Sequence, residues 1–187
     1  FNIVRISLKK SAGSGEVVEK TNTSSMKNDQ YIIGNNPTQF QQDEFKKLTE
    51  ALKGDDQLAI SEAVVRNFIA DYFTWTNKDG NYEVGGLQYI YGPMFTSFQE
   101  QSRWEFYKDL DLYISQYGRE NLLEVSDITI TSSAVAGNFE LYSGEEFASF
   151  YIETTWNYKP SPKIDVDSFQ KTGYFTVINN NGRYEIA

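Results

Sequence analysis

The chain has 187 residues, 40% of them hydrophobic and 16% aromatic, which supplies apolar surface for one sizeable core but little length for two full domains. A net charge of −9 argues against direct gripping of nucleic acid or of an anionic membrane surface, since both select basic patches. The absence of His and Cys removes Ser-His triads, thiolate nucleophiles, disulfides and imidazole or thiolate metal sites.

Residues 9–37 are rich in Ser, Gly, Asn, Lys and Thr, with a small apolar group at Tyr31, Ile32 and Ile33, and residues 1–37 are expected to form a stalk or linker. The chain opens at Phe1 rather than Met, so a truncated or processed product is expected whose original N-terminus is missing, and what was removed could include an anchor. The remainder, 38–187, is expected to be a single α+β domain.

Thr38 predicts an N-cap for a first helix over 39–52, with Phe40, Phe45 and Leu48 on its apolar face and Gly54 as its stop. A second helix is predicted over 56–75. Two rows at four-residue spacing, Ile60, Val64, Phe68, Tyr72 and Val65, Ile69, Phe73, cover about half its circumference, so helices are expected on one side and a sheet on the other. After "TNKDGN" and Gly92-Pro93, a third helical stretch is expected over 93–117, with Trp104 and Tyr107 on its apolar face and Gly118 closing it. Phe68 and Trp104 are both expected in the core.

From residue 122 the pattern changes to period two. Strands are predicted at 122–131, 138–142, 147–159, 173–178 and 183–186, with Phe150, Ile152, Trp156 and Tyr158 sharing one face. "NNNG" over 179–182 predicts a tight hairpin turn, and the prolines of "KPSPK" a longer connection. Helices followed by an antiparallel meander predict an α+β fold with N-terminal helices packed on a curved sheet of about four to five strands.

Candidate chemistry is sparse. Asp109/Asp111 stand at i, i+2, a spacing that does not converge on one helix face. Asp165/Asp167 offer oxygen ligands without the glycine-containing loop of a calcium site. "GSG" and "VGG" lack the Lys and the strand-to-helix context of a phosphate loop. One enzyme-like alternative stands: an apolar pocket in which a desolvated carboxylate acts as base and a Tyr as hydrogen-bond donor, as in ketosteroid isomerases. Asp71, Tyr72, Tyr107 and Tyr158 are its candidate residues. No catalytic, cofactor or metal residues are expected on the favoured reading.

"VVRNFIADYFTW", "FQEQSRWEFYKDL" and "KTGYFTVINNNGRYEI", in this order, resemble the first core helix, a later helix and the closing hairpin of VirB-eight-type subunits of conjugative type IV secretion systems. The likeness is greatest to the Gram-positive TcpC-like proteins and covers about residues 56–187. It implies a nuclear-transport-factor-two-like fold on the extracytoplasmic face of the cell membrane, below a single-pass anchor. It also implies a non-enzymatic scaffold of a DNA-transfer channel, with other channel subunits as partners and no cofactor. Many Gram-negative relatives carry an Asn-Pro-x-Gly turn that supports dimer contacts; the corresponding positions here read Gln170, Lys171, Thr172, Gly173. Lys171, Thr172, Gly173 and Tyr174 are therefore the candidate interface, and loss of the Pro together with the negative charge predicts a mainly monomeric fragment.

Overall fold

A computed structural model of the chain describes residues 26–141 and 143–187. Its helices are α1 (Gln39–Ala51), α2 (Gln57–Tyr72), α3 (Phe95–Trp104) and α4 (Leu110–Tyr117), and its strands β1 (Val125–Glu140), β2 (Glu146–Tyr158), β3 (Thr172–Asn180) and β4 (Arg183–Ile186). The strands form one antiparallel meander in the order β1-β2-β3-β4, so the fold is α+β with helices preceding a four-stranded sheet.

Helix α1 starts where a capping box allows it. The Gln41 N–H donates to Thr38 Oγ1 at 3.2 Å and the Thr38 N–H to Gln41 Oε1 at 2.8 Å, satisfying two donors that the helix itself cannot reach. Asp56 caps α2, its Oδ1 accepting from the Ala59 N–H at 3.0 Å. Helix α2 is buried almost all round because α1 lies on one side and all four strands on the other. Helix α2 ends three residues before the predicted position. Groups beyond it are recruited by the segment entering β1: the Trp75 N–H donates to Leu123 O at 2.7 Å, and the Thr74 side-chain Oγ1 accepts from the Val125 N–H at 3.1 Å.

The predicted third helix is broken in two. Helix α3 ends at Glu105, whose backbone leaves the helical region (φ −107°, ψ −86°), and α4 begins at Leu110. Unwinding turns Tyr107 fully inward, where its hydroxyl donates to Tyr72 O at 2.5 Å and accepts from the Gly85 N–H at 3.1 Å. The same change of direction leaves Trp104 outside. Its side chain is 77% exposed, which corrects its expected place in the core.

In the sheet, Phe150, Ile152, Thr154, Trp156 and Tyr158 of β2 all face the helices, as the alternation predicts. The two strands expected at 122–131 and 138–142 are one. Residues 132–137 continue β1 through register shifts between Ile130 and Ser132 and between Val135 and Gly137, bulges that bend a strand without ending it. The predicted hairpin turn joins β3 to β4: Asn181 and Gly182 take φ of 52° and 92°, the left-handed pair that a two-residue turn of matching twist requires.

The domain also begins before residue 38. Tyr31, placed in the expected linker, is 1% exposed. Asn28 Oδ1 folds the chain locally by accepting from the N–H groups of Gln30 and Tyr31 at 3.0 and 2.8 Å. Tyr31 then donates to Tyr184 O at 2.6 Å, packs its ring 5.1 Å from that of Tyr89 and receives the Arg183 guanidinium over its face at 4.7 Å. Thus 26–37 belong to the body of the domain, while 1–25 lie outside the described residues. Among the described residues no helix is long and apolar enough to cross a membrane.

Candidate functional site

The C-terminal half of α2 carries the densest chemistry. Phe68, Tyr72 and Phe73 project from it into rings supplied by α3, by the unwound segment after it and by the sheet: Phe98, Phe106, Tyr107, Trp156 and Phe175. Ring-centre separations of 4.4 to 6.0 Å with many edge-on pairs are the geometry of a packed aromatic core. The hydroxyls of Tyr72 and Tyr107 within it are hydrogen-bonded.

Each residue of the isomerase-like alternative is engaged in this framework. Asp71 Oδ1 is paired with Lys78 Nζ at 2.8 Å and Oδ2 accepts from the Gly86 N–H at 2.7 Å. Lys78 is itself buried and also donates to Asn77 Oδ1. Gly85 makes the approach possible: a Cβ there would stand 2.4 Å from Asp71 O. Tyr72 donates to Ser102 Oγ at 3.1 Å. Burial raises the Tyr72 hydroxyl above its ordinary pKa and raises Tyr107 much further. Tyr72 and Tyr107 meet edge to face, 5.5 Å between ring centres. Tyr158 serves a different junction: it donates to Gln170 O at 2.6 Å and accepts from the Trp156 indole at 3.1 Å, and burial raises its pKa too. The four candidates therefore act as ties between α2, the 78–86 loop, α3 and the start of β3.

An open cleft of about 410 Å³ lies elsewhere, lined by Asn36, Thr38, Thr76, Asn77, Arg119 and the carboxylates of Glu120 and Glu124. Its chemistry is already committed internally. Glu124 accepts from Thr76 Oγ1 at 2.9 Å and pairs with Lys159 at 2.5 Å, Arg119 pairs with Asp79 at 2.8 Å, and Asn77 donates to Gln41 Oε1 at 2.9 Å. None of the predicted pocket residues lines it. Its walls come from separate stretches of chain, so no local motif could have marked it. Two buried polar atoms lack a partner among the described residues, Gln30 Oε1 and the Trp75 indole nitrogen.

Three of the four carboxylates singled out by spacing have structural partners. Asp165 Oδ1 accepts from the Asp167 N–H at 3.1 Å, Asp167 pairs with Lys171 at 2.6 Å, and Asp111 Oδ2 accepts from the Asn81 N–H at 3.3 Å. No group of three potential metal ligands occurs among the described residues.

The candidate interface at Lys171–Tyr174 is the entry to β3. Lys171 O accepts from the Trp156 N–H at 2.9 Å, and Thr172, Gly173 and Tyr174 pair with Thr155, Thr154 and Glu153 of β2. Gly173 faces inward and is buried; a Cβ there would stand 2.6 Å from the Phe175 ring. Tyr174 points outward, 71% exposed and stacked on Tyr151 at 6.5 Å. So only Lys171, Thr172 and Tyr174 point side chains outward, Lys171 from just before β3 and the other two from the strand itself.

Sequence reasoning missed a further surface element. The hairpin formed by β1 and β2 holds Asp127, Glu140, Glu145, Glu146 and Glu153 but neither Lys nor Arg, and the outer edge of β1 has no neighbouring strand among the described residues. The missing basic residues could have been read directly; the unpaired edge required the sheet order. Comparison of the chain with protein-family models, with curated proteins and with solved structures found no match.

Proposed function

We propose that this chain is the extracytoplasmic part of a membrane-tethered scaffold in a conjugative DNA-transfer channel, with a nuclear-transport-factor-two-like fold, and that it acts through protein–protein contacts without catalysis. The observation that carries the reading is the succession of elements over 56–187. A wide apolar helix is gripped between α1 and the sheet, shorter helices follow, and a meander closes on a tight Asn-Gly hairpin, the order in which the three resembling phrases occur. The internal pairing of Asp71, Tyr72, Tyr107 and Tyr158 favours a scaffold over a reactive pocket. The net charge of −9 favours protein contacts over contacts with DNA.

Deletion of the gene in the organism that encodes it tests the reading. Transfer of a resident conjugative element is expected to fall to the background of a strain lacking the channel and to recover when the wild-type gene is supplied in trans. Undiminished transfer would overturn the assignment to the channel. Micromolar binding of duplex DNA by the isolated chain at about 150 mM salt would overturn the restriction to protein contacts.

A further inference from the structure

The two ends of the sheet are finished differently. Strand β4 has only four residues, carries Arg183 and Glu185, and is covered by a neighbouring segment: Ile90 bridges Ile186 in parallel, and the Tyr91 N–H donates to Ile186 O at 2.8 Å. Shortness, charge and cover are the usual means by which a sheet edge avoids unwanted pairing. Strand β1, at the opposite edge, has sixteen residues and no charged side chain from Ile128 to Phe139. Its Ile128 carbonyl is taken by Arg66 at 2.9 Å and Ser133 Oγ donates to Glu62 at 2.5 Å; past these, Ala134–Asn138 are exposed, Val135 to 69%. Two straight runs, Ser132–Val135 and Gly137–Glu140, keep unbroken register with β2. In an antiparallel pair alternate N–H and C=O groups point away from the partner strand, so the outer side of these runs is a row of backbone groups without a strand partner among the described residues.

We infer that this edge receives an extended segment of a partner polypeptide as an added antiparallel or parallel strand, and that the segment has an uncharged, β-branched centre flanked by basic residues. Backbone pairing would supply affinity and the flanking charges selectivity. The charge follows from the hairpin, which holds five carboxylates and no basic residue. Asp127 stands just before the uncharged run and Glu140 just after it. A second copy of this chain is a poorer occupant, because it would bring the same carboxylates and a further −9 to the contact. The inference deepens the scaffold reading by stating how the domain would hold its partner. It concerns peptide binding in vitro, so its failure leaves the transfer assay untouched, and the reverse also holds.

The test uses the isolated chain with two short synthetic peptides of alternating threonine and valine, one flanked at both ends by lysine, the other by glutamate. Amide hydrogen exchange, resolved by residue, is expected to slow at least about tenfold at alternate positions of Ser132–Glu140 with the lysine peptide only. The exposed variant E140K is expected to remove most of the preference without lowering the thermal midpoint. Unaltered exchange in β1 with both peptides, or equal slowing by both, would overturn the inference. Sedimentation equilibrium provides an independent arm: a stable dimer at low micromolar concentration with β1 amides protected in the absence of peptide would assign the edge to a second copy and likewise overturn it.

Discussion

Helix α2 and the outer half of the β1–β2 hairpin are built from opposite materials. Along α2, ten of sixteen residues are buried, and the buried polar Asn67 donates to Glu44 O and Ala63 O at 3.0 and 2.8 Å. Along β1 from Thr131 to Glu140 no residue is buried, and one whole side of the backbone lacks a strand partner among the described residues. Burial makes α2 costly to alter and chemically closed, while exposure leaves the outer half of the hairpin cheap to alter. On the proposal that β1 receives a partner strand, stability and recognition are separated along one polypeptide, as expected when a rigid body presents a contact surface.

The comparison breaks most visibly if the aromatic hub is not a core. Phe68 stacks on Tyr72 at 5.1 Å and meets Phe98 and Phe175 at 6.0 and 5.7 Å. Phe68→Ala is therefore expected to destabilise the domain by about 3 to 5 kcal/mol, as removal of a buried aromatic does. Urea titration is the measurement. A loss below about 1 kcal/mol would mean that the hub can collapse around the missing ring, and that α2 is not the rigid element.

A smaller effect is expected at the junction of α1 and α2. Glu44 is buried and receives Arg66 Nε at 2.7 Å, Arg66 Nη2 at 3.1 Å and Lys47 Nζ at 2.7 Å. Burial pushes its carboxyl up, but the bonds from Arg66 and Lys47 outweigh this and hold it below the ordinary value of 4.5. A depressed folded-state pKa contributes stability that is present above the unfolded value and lost as pH falls through the folded one. Glu44→Gln is expected to cost about 2 to 3 kcal/mol near neutrality, somewhat less than a fully buried pair because Arg66 reaches solvent. The difference between variant and wild type should shrink as pH falls below 4.5. A difference independent of pH across that window would show that packing, rather than charge, links the two helices.

How much of this was legible depended on whether the deciding interaction was local. The Thr38 cap, the width of the apolar face of α2, the inward alternation of β2 and the Asn-Gly turn are fixed within a few residues of chain, and each was readable. The continuity of β1 was not, because Ser132 to Gly137 are small residues whose strand conformation is imposed by pairing with β2. Nor was the docking of Tyr31, whose partners Tyr89, Arg183 and Tyr184 lie far along the chain. The candidate site shows the same limit. Asp71 and Tyr72 stand out in the sequence by type, but the groups that engage them, Lys78, Gly86 and Ser102, are brought there by the fold.

The smallest expected effect is at Trp104, and it sharpens the comparison from within one segment. In an uninterrupted helix over 93–117, Trp104 and Tyr107 would stand three residues apart on one face. The unwinding after Glu105 separates them: Tyr107 is fully buried, whereas Trp104 is 77% exposed. Phe106, two residues beyond Trp104, lies 5.3, 5.1 and 5.0 Å from the rings of Tyr72, Phe73 and Trp75. Trp104→Ala is therefore expected to change stability by no more than about 0.5 kcal/mol, the range of surface substitutions that touch no special feature. Fluorescence supplies a second readout, because Trp75 and Trp156 are buried and Trp104 should dominate quenching by acrylamide. In Trp104→Ala most of the quenchable emission should vanish while the urea midpoint stays in place. A loss above about 1 kcal/mol, or undiminished quenching, would mean that α3 runs on as a regular helix with Trp104 packed inward, and that Tyr107 owes its place to something other than the break.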